Sequence, residues 1–135
     1  MEPTPSDRLT YTDADVESAT ERVRRICSTF PEVTERLSHG AVTFFVRKKR
    51  TVCYLTDDHH GDGRLAVICP APSGVQQELV AAEPERFFRP PYVGHRGWIG
   101  LRVDVDPDWS EVASLLVDAY RLVAPKTLVR DLAAS

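Results

Sequence analysis

Three short runs of β-branched and aromatic residues in the middle of the chain limit its possible folds more than any other feature. They are residues 41–46, 51–56 and 64–69, separated by the basic turn 47–50 and the polar loop 57–63. Runs of this kind joined by short polar connections are typical of antiparallel strands linked as hairpins. Both alternating sets of side chains are apolar, which predicts a sheet that is partly covered on both faces.

Helical patterns precede and follow these strands. A first helix is predicted to begin at Thr12 or Asp13 and to end at Pro31, and residues 31–37 are predicted to add one further helical turn. Ser73 is the expected cap of a second helix over residues 75–82. Asp106 is the expected cap of a third helix, which has a proline at its first position. A short final helix is predicted over residues 127–133.

This order, α-βββ-α-β(β)-α, predicts the α+β class. We expect a single two-layer domain with a twisted antiparallel sheet and helices packed mainly on one face. Residues 1–10, acidic and rich in proline, are predicted to form a disordered tail, and residues 11–135 the domain. The tail has no apolar stretch typical of a signal peptide and no run is long enough to span a membrane, so we expect a cytoplasmic protein.

The segment 90–104, PPYVGHRGWIGLRVD, leads from two prolines through a glycine-bracketed turn into one more strand. Alternation places Ile99, Leu101 and Val103 on the core face of that strand. Trp98 and Arg102 fall on the other face, which need not be buried. This segment is therefore the first place to look for a working surface.

Charge is distributed unevenly over the 135 residues. The net charge is −3, but residues 1–38, 39–102 and 103–135 sum to −3, +3 and −3. A basic middle between acidic ends is consistent with an electropositive surface. Cys27, Cys53 and Cys69 are odd in number and lack CxxC spacing, which favours reduced, buried thiols over a disulfide framework or a zinc site.

Two groups of residues are candidates for binding an anionic partner. The first is the turn Arg47, Lys48, Lys49 and Arg50, whose four cations suit a tip that contacts phosphates. The alternative for this group is a solvated charge run that protects a strand edge. The second combines aromatic rings with cations, as stacking and phosphate contact require, and the alternative is a packed structural corner. Its members are Tyr92, His95, Arg96, Trp98 and Arg102.

The sequence offers little support for a metal site, a small-ligand or enzyme site, or a nucleotide cofactor. The loop 57–63 contains aspartates and histidines of metal-ligand type, but their spacing fits neither a calcium loop nor a zinc helix, and a turn-rich connection is favoured. His39 and His95 with Tyr92 raise the idea of an enzyme or small-ligand site, although no nucleophile elbow accompanies them. No glycine pattern for a nucleotide is present, so no cofactor is expected.

Several stretches of the sequence resemble the YjbR/MmcQ family. They are Ser38-His39-Gly40, Thr43-Phe44-Phe45-Val46 with Lys48, Tyr54-Leu55, Pro84-Glu85-Arg86-Phe87-Phe88, Ala119-Tyr120, Ala124-Pro125-Lys126 and, most specifically, the run from Pro90 to Trp98. The likeness covers about residues 16–132. It implies an α+β fold of the frataxin (CyaY) or secretion-chaperone type, and DNA binding by analogy with a double-wing motif.

The leading hypothesis is therefore a non-enzymatic binding module, with DNA as the expected partner and the two groups above as the binding residues. The alternatives are a chaperone-like protein-interaction module and a small-ligand binder or enzyme around His39, His95 and Tyr92. We expect a monomer or a weak homodimer that does not bind membranes.

Overall fold

The computed structural model describes residues 9–134, so almost all of the predicted tail lies outside the described residues. Over this range four helices and six strands follow one another, and the predicted α+β class is confirmed. Their order is α1 (Asp13–Cys27), β1 (Val33–Ser38), β2 (Ala41–Val46), β3 (Arg50–Asp57), β4 (Leu65–Cys69), α2 (Val75–Ala82), β5 (Phe87–Phe88), β6 (Ile99–Arg102), α3 (Trp109–Val123) and α4 (Lys126–Ala134). Two short 3-10 turns, His59–Gly61 and Gly94–Arg96, lie in the connections.

The described strands form one antiparallel sheet in the order β1-β2-β3-β4-β6-β5. Tyr54 of β3 pairs with Ile68 of β4, and Ile68 pairs with Gly100 of β6. Because β4 runs opposite to both neighbours, β3 and β6 begin at the same end of the sheet, two strand spacings or about 10 Å apart. We call this the turn end, since it carries the turn 47–50, and the other the far end.

The main core lies between the helices and one face of the sheet, which we call the inner face. Ile99, Leu101 and Val103 are 0%, 2% and 6% exposed there, so the predicted core alternation of this strand is confirmed. Helix α3 supplies Leu116 and Tyr120, both fully buried. The Tyr120 hydroxyl donates a hydrogen bond to the carbonyl of Pro31 at 2.8 Å, which satisfies the one polar atom that this large side chain brings into the core.

A capping box fixes the start of α1. The Thr12 hydroxyl accepts a hydrogen bond from the Asp15 amide, and the Asp15 carboxylate accepts one from the Thr12 amide. This reciprocal pair satisfies two amides that the helix cannot bond itself. Thr12, one of the two predicted caps, is therefore the cap in the structure.

The predicted helical turn over residues 31–37 is wrong, because these residues form the edge strand β1. Glu35, Arg36 and Leu37 are good helix formers. The backbone of residues 33–38 nevertheless pairs with β2 along its whole length, from Val33 opposite Val46 to Ser38 opposite Ala41. Pairing along a whole neighbouring strand outweighs a propensity of a few tenths of a kcal/mol per residue.

Two other predicted helix caps are also wrong. Helix α3 is capped by Asp108 rather than Asp106, because the Asp108 carboxylate accepts hydrogen bonds from the amides of Ser110 and Glu111. Helix α2 is capped by Gly74 rather than Ser73, in a left-handed conformation with φ of 86° that glycine adopts without strain. The helices themselves lie where the periodicity predicts.

The three cysteines are buried and unpaired, with the Cys27 and Cys53 sulfurs 3.8 Å apart. Burial raises the pKa of the Cys69 thiol to about 12, so the thiol is protonated and unreactive near neutral pH. In the described part of the chain, no helix is long and apolar enough to cross a membrane.

Candidate functional site

The sheet face turned away from the helices, which we call the outer face, is only half covered. A small second core of Ala66, Ile68, Phe88 and Trp98 lies on it, with Val93 packed against these side chains. The cover is the connection from β5 to β6, residues 89–98, which we call the crossing segment. The prediction that the sheet is partly covered on both faces is thus confirmed at β4, and the cover extends to β5 and β6.

Helix α2 fastens the crossing segment to the sheet. Gln76 is buried, and its side-chain amide donates hydrogen bonds to the carbonyls of Gly94 and Trp98. Gly97 has a φ of 83°, which glycine adopts readily. Gly100 lies beneath Phe88, and a Cβ atom there would come within 2.4 Å of the phenylalanine ring. The positive φ accounts for glycine at position 97, and the contact with Phe88 accounts for glycine at position 100.

Three arginines on the outer face each lie over an aromatic ring. The distances run from the guanidinium carbon of the arginine to the centre of the ring. They are 3.7 Å for Arg36 over Phe45, 4.2 Å for Arg64 over Phe88 and 5.1 Å for Arg96 over Trp98. Guanidinium groups stack favourably on such rings. None of the three forms an ion pair with a carboxylate of the described residues, so their charges are not neutralised locally.

The turn 47–50 contains a β-turn over residues 46–49 whose two central residues have the φ angles of a type I′ turn. Arg47 and Lys48 have φ angles of 52° and 59°, and the Lys49 amide donates to the Val46 carbonyl at 3.1 Å. A type I′ turn needs positive φ at both central residues, which is why Asn-Gly is usual there. Here arginine and lysine occupy both positions, although the left-handed backbone conformation costs such residues free energy.

The turn and the outer face are contiguous. Arg47 forms an exposed ion pair with Glu32 at 3.4 Å, whereas Lys48, Lys49 and Arg50 are exposed and have no carboxylate partner among the described residues. The guanidinium of Arg36 reaches across Phe45 and donates to the Lys48 carbonyl at 3.2 Å. Arg36 therefore joins the cations of the turn to the outer face.

Arg96 belongs to the same end of the sheet as the turn, because it precedes the first residue of β6. The basic surface is therefore defined by Arg36, Lys48, Lys49, Arg50 and Arg96. Sequence reasoning missed Arg36, because it assigned residues 31–37 to a helix. It also missed Arg64, which lies closer to the far end.

The remaining predicted binding residues lie in different settings. Trp98 is only 8% exposed, beneath Arg96 and inside the second core. Arg102 lies at the far end and binds Asp104 through two hydrogen bonds of 2.7 and 3.1 Å. His95 is exposed in the short turn of the crossing segment, and Tyr92 is 73% exposed at its tip. Their role in binding stays a prediction.

Acidic groups gather at the far end of the sheet. The Asp57 carboxylate accepts a hydrogen bond from the Tyr11 hydroxyl at 2.6 Å. Burial raises the pKa of Asp104, but hydrogen bonds from Arg102 and Thr10 outweigh burial and hold this pKa below its ordinary value. The sheet is thus polarised along its strands, basic at the turn end and acidic at the far end.

The loop 57–63 closes on itself. The Asp58 carboxylate accepts a hydrogen bond from the Gly63 amide, and the Asp62 carboxylate accepts one from the Arg64 amide. The His60 imidazole hydrogen-bonds the Tyr92 hydroxyl at 2.9 Å, which joins the loop to the crossing segment. No cluster of three or more histidine, cysteine or acidic side chains suited to a metal ion occurs within residues 9–134.

The three residues proposed for a small-ligand site are not brought together. His39 lies in the turn between β1 and β2, four strands from the crossing segment in the sheet order. Tyr92 lines a small cavity whose other walls include neither His39 nor His95. The three large hydrophobic side chains exposed in the described chain, Leu37, Tyr92 and Leu122, lie on three separate elements and form no continuous apolar patch.

A model of the YjbR family matches residues 28–122, from the end of α1 to the end of α3. The chain belongs to the YjbR family. The matched range includes the turn 47–50, the crossing segment and the outer face, so every residue of the basic surface lies in the family domain. A solved structure of Deinococcus radiodurans protein DR2400, described by the family-model domain DUF419, aligns with a TM-score of 0.67 and 19% identity, covering 84% of this chain and 87% of that one. That likeness shows the shared fold. No curated protein matches the chain.

Proposed function

We propose that this YjbR-family protein is a non-enzymatic module that binds a single strand of nucleic acid on the basic surface. One observation carries the proposal: Arg36, Lys48, Lys49, Arg50 and Arg96 lie at one end of the sheet, and none has a carboxylate partner in the described chain. Unpaired cations gathered at one end of a sheet are what a phosphate backbone requires.

The backbone of the turn supports the same proposal. A left-handed conformation costs an L-residue about 1–2 kcal/mol, and the turn contains two such residues, Arg47 and Lys48. Glycine or asparagine would remove that cost. Strain of this kind persists most often at functional positions, and here the strained positions carry exposed cations.

A single strand fits this surface better than a duplex. The arginines on the outer face are stacked on rings, so they present flat cations over which a flexible backbone can lie, and the exposed Tyr92 ring is available to a base. The acidic far end would repel a rod that ran the full length of the sheet. A flexible strand can bend away from those carboxylates while its phosphates contact the arginines.

Fluorescence anisotropy with a labelled oligothymidylate tests the proposal. The variant K49A/R50A removes two exposed, unpaired cations from an unstrained part of the turn, and we expect at least tenfold weaker binding at low salt. The matched control is R121A/R130A, which removes two exposed arginines from α3 and α4 and should change affinity less than twofold. Equal losses for the two variants would mean that the attraction is general and not located at the turn. A hairpin duplex of the same length should bind more weakly than the single strand.

A further inference from the structure

Arg36 holds its guanidinium flat against the ring of Phe45 on the outer face. The guanidinium carbon lies 3.7 Å from the ring centre, which is van der Waals contact. Among the described residues Phe45 belongs to neither core, yet beneath Arg36 it is only 6% exposed. Arg36 itself is exposed. One plane of its guanidinium therefore rests on the ring, and the other plane faces solvent.

A hydrogen bond holds this guanidinium in place. Its Nη1 atom donates to the Lys48 carbonyl at 3.2 Å. A phosphate binds a guanidinium at its edge, through parallel hydrogen bonds, and here part of that edge is already used. The solvent-facing plane is free, and a guanidinium plane is weakly hydrated and stacks readily. The arrangement of Arg36 therefore favours a flat ligand over a phosphate.

A nucleic-acid base is a flat ligand that such a plane can hold. The bases of single strands stack on aromatic rings and on the guanidinium planes of arginines. The turn 47–50 lies next to the stack, since Arg36 bonds the carbonyl of Lys48. Its exposed cations are available to the phosphates of the same strand.

The other two stacked arginines are less suited to hold a base. The guanidinium carbon of Arg96 lies 5.1 Å from the centre of the Trp98 ring, beyond the ~3.5–4.0 Å of close contact, so the ring supports it less closely. Arg64 lies toward the far end, where carboxylates would repel the phosphates of the strand. Arg36 is the arginine that combines close stacking with a position beside the basic turn.

The cavity beneath the tip of the crossing segment leaves no room for a base. Its enclosed space is about 20 Å³, and one water needs ~10–15 Å³. The Thr56 hydroxyl in its wall is buried and has no hydrogen-bond partner within residues 9–134, so a single water suits this space. The Thr43 hydroxyl, in contrast, donates to the Ala41 carbonyl at 3.0 Å. A base must therefore stack on the open surface.

We infer that the solvent-facing plane of Arg36 is the stacking platform for one base of the bound strand. The stack would consist of the Phe45 ring, the guanidinium and the base, in that order. Because the plane contacts only the π-face that every base presents, it holds the strand without selecting a sequence. This inference rests on the proposed binding of a single strand.

Strands that are abasic except for one central thymine, compared with fully abasic strands of the same length, test the inference. The two strands carry the same phosphates, so the ratio of their affinities in fluorescence anisotropy reports the base alone. A stacked base contributes a factor of roughly 5 to 150 to affinity. We expect a ratio of at least about five for the wild-type protein.

The variant R36K keeps the charge and removes the plane. It should reduce the ratio at least threefold, while the slope of log K against log salt concentration stays within about 0.35 of the wild-type value, which is half of one phosphate contact. The matched control is R121K, at an exposed arginine of α3, which should change neither the ratio nor the slope. Thermal unfolding of both variants verifies that they fold.

The outcomes separate the two proposals. Salt-dependent binding of both strands with equal affinity would overturn the inference and leave the proposed function standing. A thymine preference that survives in R36K would overturn the assignment to Arg36. So would an equal loss of affinity for both strands in R36K, because Arg36 would then contact a phosphate. Absence of salt-dependent binding to either strand would overturn both proposals.

Discussion

Replacing Lys48 by glycine separates the stability of the fold from its proposed function. Lys48 has a φ of 59° in the turn, which costs an L-residue about 1–2 kcal/mol. Glycine removes that cost but loses about 0.5–1 kcal/mol through the greater freedom of the unfolded chain. The net expectation is a gain of about 0.5–1 kcal/mol in the free energy of unfolding, or a melting temperature higher by roughly 2–4 °C.

The same substitution removes one exposed cation, so K48G should be more stable and bind a single strand more weakly. Lys49 provides the matched control, because it is exposed in the same turn and its φ is not positive. K49G should lose a comparable share of the affinity but become less stable by about 0.5–1 kcal/mol. Differential scanning calorimetry and fluorescence anisotropy measure the two effects. If K48G is destabilised as much as K49G, the strain assigned to the turn is wrong.

Three further predictions concern packing, burial and pH. G100A should lower the free energy of unfolding by about 1–3 kcal/mol, because the added Cβ would overlap the Phe88 ring. Calorimetry checks this cause, because G100A should cost less in a protein that already has a smaller side chain at position 88. T56V should be as stable as the wild type or more stable, whereas T43V should lose about 1 kcal/mol with its hydrogen bond, and a loss in T56V equal to that in T43V would contradict the assignment of an unpartnered hydroxyl. Hydrogen bonds from Arg24 of α1 lower the pKa of Glu35, so this pair stabilises the fold above the unfolded pKa of about 4.3 and loses that effect as the pH falls through the lower folded pKa. E35Q should therefore be less stable than the wild type by at most about 1 kcal/mol at neutral pH. Denaturant titrations at decreasing pH should show this difference disappear.

Most of the fold can be predicted from the sequence because its elements carry strong local patterns. The strands over residues 41–46, 51–56 and 64–69 are rich in β-branched and aromatic residues, and α3 holds one apolar stripe along its length. The edge strand β1 could not be predicted in this way. Its residues alternate little in burial, since four of six are exposed, and they form a strand only because β2 lies beside them.

The candidate site was less predictable, and the reasons differ between residues. Arg36 was missed because its face is defined only once β1 pairs with β2. The burial of Trp98 depends on how the crossing segment folds back over the sheet, which no local pattern gives. The pairing of Arg102 with Asp104 can be predicted from the sequence, because residues two apart in a strand share a face. Nothing in the sequence distinguishes the unpartnered Thr56 hydroxyl from that of Thr43.

The salt dependence of single-strand binding tests the central claim most directly. Each phosphate contact on a single strand contributes about −0.7 to the slope of log K against log salt concentration, so three to five contacts from the basic surface predict a slope of about −2 to −3.5. K49A/R50A should bring this slope closer to zero by about 1.4, and R121A/R130A should leave it unchanged. A slope near zero for the wild-type protein, or equal slopes for the two variants, would contradict the assignment of nucleic-acid binding to this surface.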